Sequence, residues 1–309
     1  MKKILSLDGG GIRGILAASV LEDIEYATGC DVASQFDLIV GTSTGSLLAC
    51  GTTVDVGNNG EPDYTSANLF DMYGDFGESI FHRTRTRKLQ SMFGISDEKY
   101  SNAGLVSVLN KLFGSYKLSD ALTNVMVTSY DTNSREAVLF KSWDNRYKDI
   151  RMVACVLAST AAPTYFEPHR YTFAEKEMCL IDGGVYANNP VLCAIAEARN
   201  LWPDEEIKVL SIGTGYVQQP ITYNQAKDFG VFSWARPLLD IVFDGQTHTA
   251  SYVAEKLSDE FMRIDFDLAL HNCSEAMDDV SPDNIHALRR AAATCSINNF
   301  PELCKFLGV

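Results

Sequence analysis

The chain is poor in what several classes of protein need. Its eight cysteines include no Cys-x-x-Cys pair and no Cys/His cluster. They read as reduced thiols of apolar segments, Cys155, Cys179, Cys193 and Cys295 among them, in a cytosolic protein with no metal centre. Positive charge is short, since 26 Lys and Arg against 40 Asp and Glu leave a formal charge of −14. Proteins that hold polyanions depend on the opposite surplus, so no nucleic-acid polymer is expected as a partner. No apolar run approaches the roughly 20 residues of a spanning helix. The basic start Met1-Lys2-Lys3 leads into an apolar run that Asp8 cuts too early for a signal peptide. No shift of composition marks a linker, and the expectation is one domain, 1–309. Lipid, if it enters, is met from the surface.

What the chain does have is a set of glycine-rich turns, each behind a short apolar run. The central one is Gly41-Thr42-Ser43-Thr44-Gly45, between the apolar residues 36–40 and a helix-like stretch from Ser46. Strand, sharp turn and helix in that order lift a serine hydroxyl into the open, and the flanking glycines let the backbone pass without a clash. Ser43 is the candidate nucleophile, with Gly41 and Gly45 in support.

An earlier turn, Asp8-Gly9-Gly10-Gly11-Ile12-Arg13-Gly14, lies between a strand at 3–7 and a helix carrying Ile15, Leu16, Val20, Leu21 and Ile24. Free N–H groups at such a helix start favour negative charge. Gly9, Gly11 and Gly14 also fit the Gly-x-Gly-x-x-Gly of dinucleotide binding. That fold wants an acidic residue after the next strand, where this chain has Gly41-Thr42-Ser43. An oxyanion hole made by the same N–H groups explains both turns together, because adjacent parallel strands deliver them to one edge.

The third turn is Asp182-Gly183-Gly184, behind the apolar residues 178–181. A carboxylate at a strand end beside glycines is free to approach another loop. The plain role for Asp before Gly is an Asx-turn or a helix cap. Elsewhere the pattern predicts a surface loop at 52–66, helices at 67–80, 102–113 and 152–158, and strands at 125–127, 138–140, 207–212 and 261–266. A closing helix starts at Ser281-Pro282. The basic segment Arg83 to Lys88 reads as a solvated loop or a site for lipid headgroups or an anionic ligand. The aromatic region after Phe229 reads as core, partner contact or acyl-chain channel.

Serine needs a base, and none of His82, His169, His248, His271 and His286 sits in a glycine-rich turn. A Ser-His-Asp esterase of α/β-hydrolase type, with Ser43, Asp182 and His248, His271 or His286, is the alternative. Only one strand–helix unit precedes Ser43, which that fold does not allow. A carboxylate acting directly on the serine fits better. A nonenzymatic lipid- or nucleotide-binding module is the remaining alternative, and it would need neither Ser43 nor Asp182.

The three turns, in this order and spacing, resemble the motifs of the patatin-like phospholipases, as do Asn188-Asn189-Pro190 and the segment 158–166; the resemblance runs from Lys3 to about Gly215. It implies a three-layer α/β/α sandwich with a mostly parallel central sheet. It also implies hydrolysis of phospholipid or lysophospholipid acyl esters through an acyl-enzyme, without cofactor or metal. Ser43 would attack, Asp182 would take the proton, and Gly9, Gly10, Gly11 and Thr44 would hold the oxyanion. Asp8, Arg13, Gly183 and Gly184 would support them, Arg13 by steadying its loop or by facing a phosphate. The implied setting is cytoplasmic, with peripheral contact to the membrane surface. Some bacterial proteins of this kind are antiphage effectors switched on by cyclic nucleotides, so a cyclic-nucleotide activator and a homo-oligomer stand as further expectations.

Overall fold

The computed structural model describes residues 1–55, 57, 59–81, 100–147, 149–216 and 220–309. Eight strands form one sheet: β1 (Lys2–Leu7), β2 (Leu38–Gly41), β3 (Asn124–Asp131), β4 (Glu136–Lys141), β5 (His169–Phe173), β6 (Lys176–Asp182), β7 (Ile207–Ile212) and β8 (Glu260–Ile264). The longer helices are α1 (Gly14–Thr28), α2 (Thr44–Gly51), α3 (Ser66–Ile80), α4 (Asn102–Phe113), α5 (Met152–Thr160), α6 (Val191–Leu201), α7 (Val231–Leu257) and α8 (Pro282–Leu307).

Alternation along the central strands produces the layers. Ile4, Leu38, Val40 and Val209 point to one face, where Val191, Ala194, Ile195 and Ala198 of α6 and Ala250 and Ala254 of α7 cover them. Leu5, Leu7, Ile39, Leu210 and Ile212 point to the other face and meet α1, α2, α4, α5 and α8. Strands covered on both faces have no solvent side, which is why β2 and β7 are buried at every residue and, Lys208 apart, apolar or small; Lys208 is paired with Glu260. The result is a three-layer α/β/α sandwich. Among the described residues no helix is long and apolar enough to cross a membrane.

Strand order is β5-β6-β3-β2-β1-β7-β8, with β4 also paired to β3. The centre is parallel, through β3–β2, β2–β1, β1–β7 and β7–β8. The β3–β4, β3–β6 and β5–β6 pairs are antiparallel. This arrangement positions the site. β2 pairs with residues 124–127 of β3, and β6 pairs with residues 129–131 while β4 occupies the opposite edge. So β6 continues the edge that β2 leaves, running the other way, and the two strand ends meet. Gly41 lies opposite Val127 and Asp182 opposite Ser129, two residues or about 7 Å apart along β3.

The structure departs from one expectation and adds a strand. The stretch 52–66 is not a surface loop throughout, because Thr52, Thr53, Val54, Asp55 and Ser66 are buried where it leaves α2 and enters α3. β5 is a strand that the pattern does not predict: its alternation, Tyr171 and Phe173 inward against Arg170 and Thr172 outward, is short, and as an edge strand it is covered only in part. One sheet collects strands from Lys2 to Ile264, and α8 packs back on α1.

Candidate active site

The turn after β2 has a backbone that a side chain ordinarily avoids. Ser43 sits at φ 54° and ψ −121°, a sparsely populated conformation that costs of order 1–3 kcal/mol for a residue with a Cβ. Its neighbours explain the glycines. A Cβ on Gly41 would stand 2.2 Å from the Gly45 carbonyl oxygen, and one on Gly45 would stand 2.2 Å from the Leu7 carbonyl oxygen. The turn is pinned on every side. The Ser43 N–H donates to Ser159 Oγ at 2.8 Å, and the Ser43 carbonyl accepts from Ser46 N and Ser46 Oγ. The Thr42 hydroxyl donates to the Ala187 carbonyl at 2.7 Å, so its one hydrogen is spent and Thr128, at 2.6 Å, must donate to it.

Asp182 closes β6 and is buried. Its Oδ1 accepts the Gly184 N–H at 2.7 Å, the Asx-turn bond expected of Asp before Gly-Gly, and the carboxylate also lines the Ser43 cleft, near enough for the Ser43 hydroxyl to act on its pKa. Burial raises its pKa from 3.8 to about 6, while the Gly184 N–H and the Ser43 hydroxyl pull it back. Gly183 has no room for a side chain, since a Cβ would meet Thr128 Oγ1 at 2.2 Å.

The first turn lies against both. Gly10 and Gly11 line the same cleft as Ser43, Thr44 and Asp182. Gly9 does not open to it in the expected way: its N–H donates to the Asn188 carbonyl at 3.0 Å and so fastens the turn to the Asn188 segment. That amide is already used, so of the amides expected to hold an oxyanion those of Gly10, Gly11 and Thr44 remain. Gly11 has a φ of 58°, and a Cβ there would fall 2.2 Å from the Met277 carbonyl oxygen. Arg13 steadies the loop, with its N–H and its Nε both directed at the Gly10 carbonyl, at 3.2 and 3.4 Å.

Asp8 is held by a residue that the sequence reading missed. Arg263 on β8 makes a two-pronged contact with it, Nη1 to Oδ1 at 3.0 Å and Nη2 to Oδ2 at 2.6 Å. The same guanidinium donates to Ser211 Oγ at 2.7 Å and to Asp265 Oδ2 at 2.6 Å. Asp265 in turn accepts the Gly215 N–H, and Thr214 Oγ1 donates to the Gly9 carbonyl. One cation thus ties together the ends of β1, β7 and β8 beneath the glycine turn. Burial pushes the Asp8 pKa up from 3.8 to about 6 despite Arg263. Arg263→Gln should therefore be strongly destabilising, by about 3–5 kcal/mol in urea unfolding, because it leaves the buried Asp8 carboxylate without its cation and takes the same cation from half-buried Asp265. The signal for Arg263 was an arginine inside an otherwise apolar strand. Ser159, which accepts the Ser43 N–H, lies in the segment 158–166 that enters the sequence reading only through the resemblance.

The rest of the cleft is apolar, with Leu47, Met72, Ile80, Phe81, Leu105 and Phe166 in its wall. Among the described residues no histidine lines it. His248 lines a neighbouring cavity and His286 a distant one, His169 lies on β5, His271 on a short turn near the chain's last third, and His82 is outside the described residues. The triad alternative finds no base here. The basic segment Arg83 to Lys88 also lies outside the described residues. In the region after Phe229, Leu238, Ile241 and Val242 are exposed rather than core, while Phe243 reaches the cleft wall.

Comparisons with known proteins agree on one family. A family model described as patatin-like phospholipase matches residues 5–195. Patatin-like protein 1 of Arabidopsis thaliana is 30% identical over 351 aligned residues, covering 99% of this chain and 84% of that protein. A potato (Solanum tuberosum) relative named probable inactive patatin-3-Kuras 1 is 29% identical, covering 86% of this chain and 76% of its own length. The crystal structure of VipD from Legionella pneumophila is a distant likeness, with a TM-score of 0.39 and 15% identity over 95% of this chain and 67% of that one.

Proposed function

Because the chain belongs to the patatin-like phospholipase family, we propose that it hydrolyses the acyl esters of phospholipids or lysophospholipids with Ser43 as nucleophile and Asp182 as its base. The observation that carries this reading is a buried carboxylate close enough to the Ser43 hydroxyl for that hydroxyl to lower its pKa, at a strained turn opening on an apolar cleft. A serine hydroxyl is a poor nucleophile until its proton has somewhere to go. Asp182 takes that proton as Oγ attacks the ester carbonyl. Negative charge then moves to the carbonyl oxygen, where the N–H groups of Gly10, Gly11 and Thr44 meet it. In other hydrolases each such donor is worth about 3 kcal/mol. Asp182 next passes the proton to the departing alkoxide, leaving the acyl group on Ser43. Water, deprotonated by Asp182, adds to the acyl-enzyme, and collapse of the second tetrahedral intermediate frees the fatty acid and returns the serine.

A carboxylate with a pKa near 6 suits this work. It is ionised at neutral pH but a stronger base than a solvated aspartate. The apolar wall takes the acyl chain, and the setting we propose is the surface of a membrane, from which a single lipid enters the cleft. The test is to incubate the protein with phosphatidylcholine and lysophosphatidylcholine vesicles and with a soluble p-nitrophenyl ester, and to follow fatty acid by mass spectrometry and nitrophenolate by absorbance. Release is expected from both lipids. Folded protein that releases acyl chains from none of the three substrates would sink the reading.

A further inference from the structure

A second cavity, of about 220 Å³, lies beside the Ser43 cleft. Asn188, Phe243 and Met277 line both spaces and form the wall between them. The first glycine turn runs along that wall. Gly10 and Gly11 face the cleft, while Asp8 and Arg13, at either end of the same turn, face the second cavity. The two compartments differ in chemistry. Where the cleft is lined by Leu, Ile, Met and Phe, the second cavity presents Arg13, Tyr216, Asp244, Thr247, His248 and Ser251 beside the Asp8–Arg263–Asp265 cluster.

A lipid ester with its carbonyl at Ser43 has an apolar chain on one side of the reacting carbon and a polar alcohol on the other. The chain gains about 25 cal/mol for each Å² removed from water in the cleft. A charged headgroup against the apolar wall of the cleft would find few partners and keep most of its desolvation cost. The neighbouring cavity offers partners of both signs. Its volume is below the roughly 300–1,000 Å³ that whole drug-sized ligands occupy, which fits a headgroup better than an entire lipid.

We infer that this cavity is the headgroup compartment and that it takes a zwitterionic phosphate–ammonium headgroup in preference to an anionic one. This rests on the acyl-ester reading above. Three carboxylates, Asp8, Asp244 and Asp265, share the cavity with the two guanidiniums of Arg13 and Arg263, so an ammonium has acidic company and a phosphate basic company. A headgroup of net negative charge would add to an acidic surplus there, and to the −14 of the whole chain.

The test uses dioctanoyl phosphatidylcholine and dioctanoyl phosphatidylglycerol, each at low mole fraction in nonionic detergent micelles, with p-nitrophenyl butyrate as an ester that has no headgroup. Wild type should favour the choline lipid in kcat/KM. Asp244→Lys, at an exposed helix position, should shift the choline-to-glycerol ratio about tenfold towards the anionic lipid. Thr247→Trp, which fills the cavity, should lower kcat/KM for the choline lipid about tenfold relative to p-nitrophenyl butyrate, mostly through KM. If Thr247→Trp fails to fold, Asp244→Lys alone decides. Absence of p-nitrophenyl butyrate hydrolysis in wild type would count against the acyl-hydrolase reading itself. Hydrolysis of that ester, with lipid ratios unchanged in the folded variants, would overturn the headgroup assignment alone.

Discussion

Ser43→Ala should lower acyl-ester hydrolysis by at least about ten-thousand-fold while leaving the fold in place. The size of the loss follows from what the hydroxyl does: without Oγ no acyl-enzyme forms, and the glycine turn and apolar cleft can only assist attack by water. The fold survives because the contacts that pin the turn use the Ser43 backbone. Its N–H bond to Ser159 and its carbonyl bonds from Ser46 are untouched by the substitution. Alanine also keeps a Cβ at φ 54°, so the strain of the turn is carried over rather than relieved. Turnover of p-nitrophenyl butyrate beside thermal unfolding of both proteins checks both halves. A variant that keeps more than a hundredth of the wild-type rate would remove Ser43 from the reaction.

The second large effect belongs to Asp182. Asp182→Asn should cost about ten-thousand-fold in kcat/KM, since an amide cannot take the serine proton. Wild-type kcat/KM should rise with pH through about 6 and then level off, because the reactive form is the ionised carboxylate. Stability should move the opposite way. Burial raises the folded pKa from 3.8 to about 6, so between those values the native state holds the proton more firmly than the unfolded chain. Stability contributed by this group is therefore present at low pH and lost as pH climbs from about 4 to 6. A shift of about two units corresponds to at most about 3 kcal/mol. Asp8 shares the direction of shift, so the informative quantity is the difference between wild type and Asp182→Asn. The variant should be the more stable of the two at pH 7 and should lose that advantage by pH 4. Urea unfolding at both values checks this, and equal stability at pH 7 would mean that Asp182 is not held ionised against its burial.

Several of these elements could be read from the sequence because each has a local cause. Ser43 was legible since Gly41 and Gly45 are required by backbone contacts within the turn and with Leu7. The layers were legible in outline because β1, β2 and β7 are short, mostly apolar runs between helices. What escaped depends on distant partners. Nothing near Gly9 announces that its amide is taken by Asn188, 179 positions away in the chain. Arg263 is 255 positions from Asp8, and only its place in an apolar strand marked it as unusual. The antiparallel entry of β6 along the edge vacated by β2 brings Asp182 to Ser43, and pairing of that kind leaves no mark on local periodicity. Of the readings core, partner contact or channel for the region after Phe229, core does not hold for Leu238, Ile241 and Val242, which are exposed.

The account turns on Asp182 activating Ser43, and covalent labelling tests that most directly. The protein would be treated with a fluorophosphonate across pH 4.5 to 8, and the adduct located by peptide mass spectrometry in wild type and in Asp182→Asn. The account predicts one adduct, on Ser43, forming at a rate that climbs through about pH 6 in wild type and that falls at least about a hundredfold in the variant. Labelling at another residue, or labelling of Ser43 at the same rate with and without the Asp182 carboxylate, would contradict it.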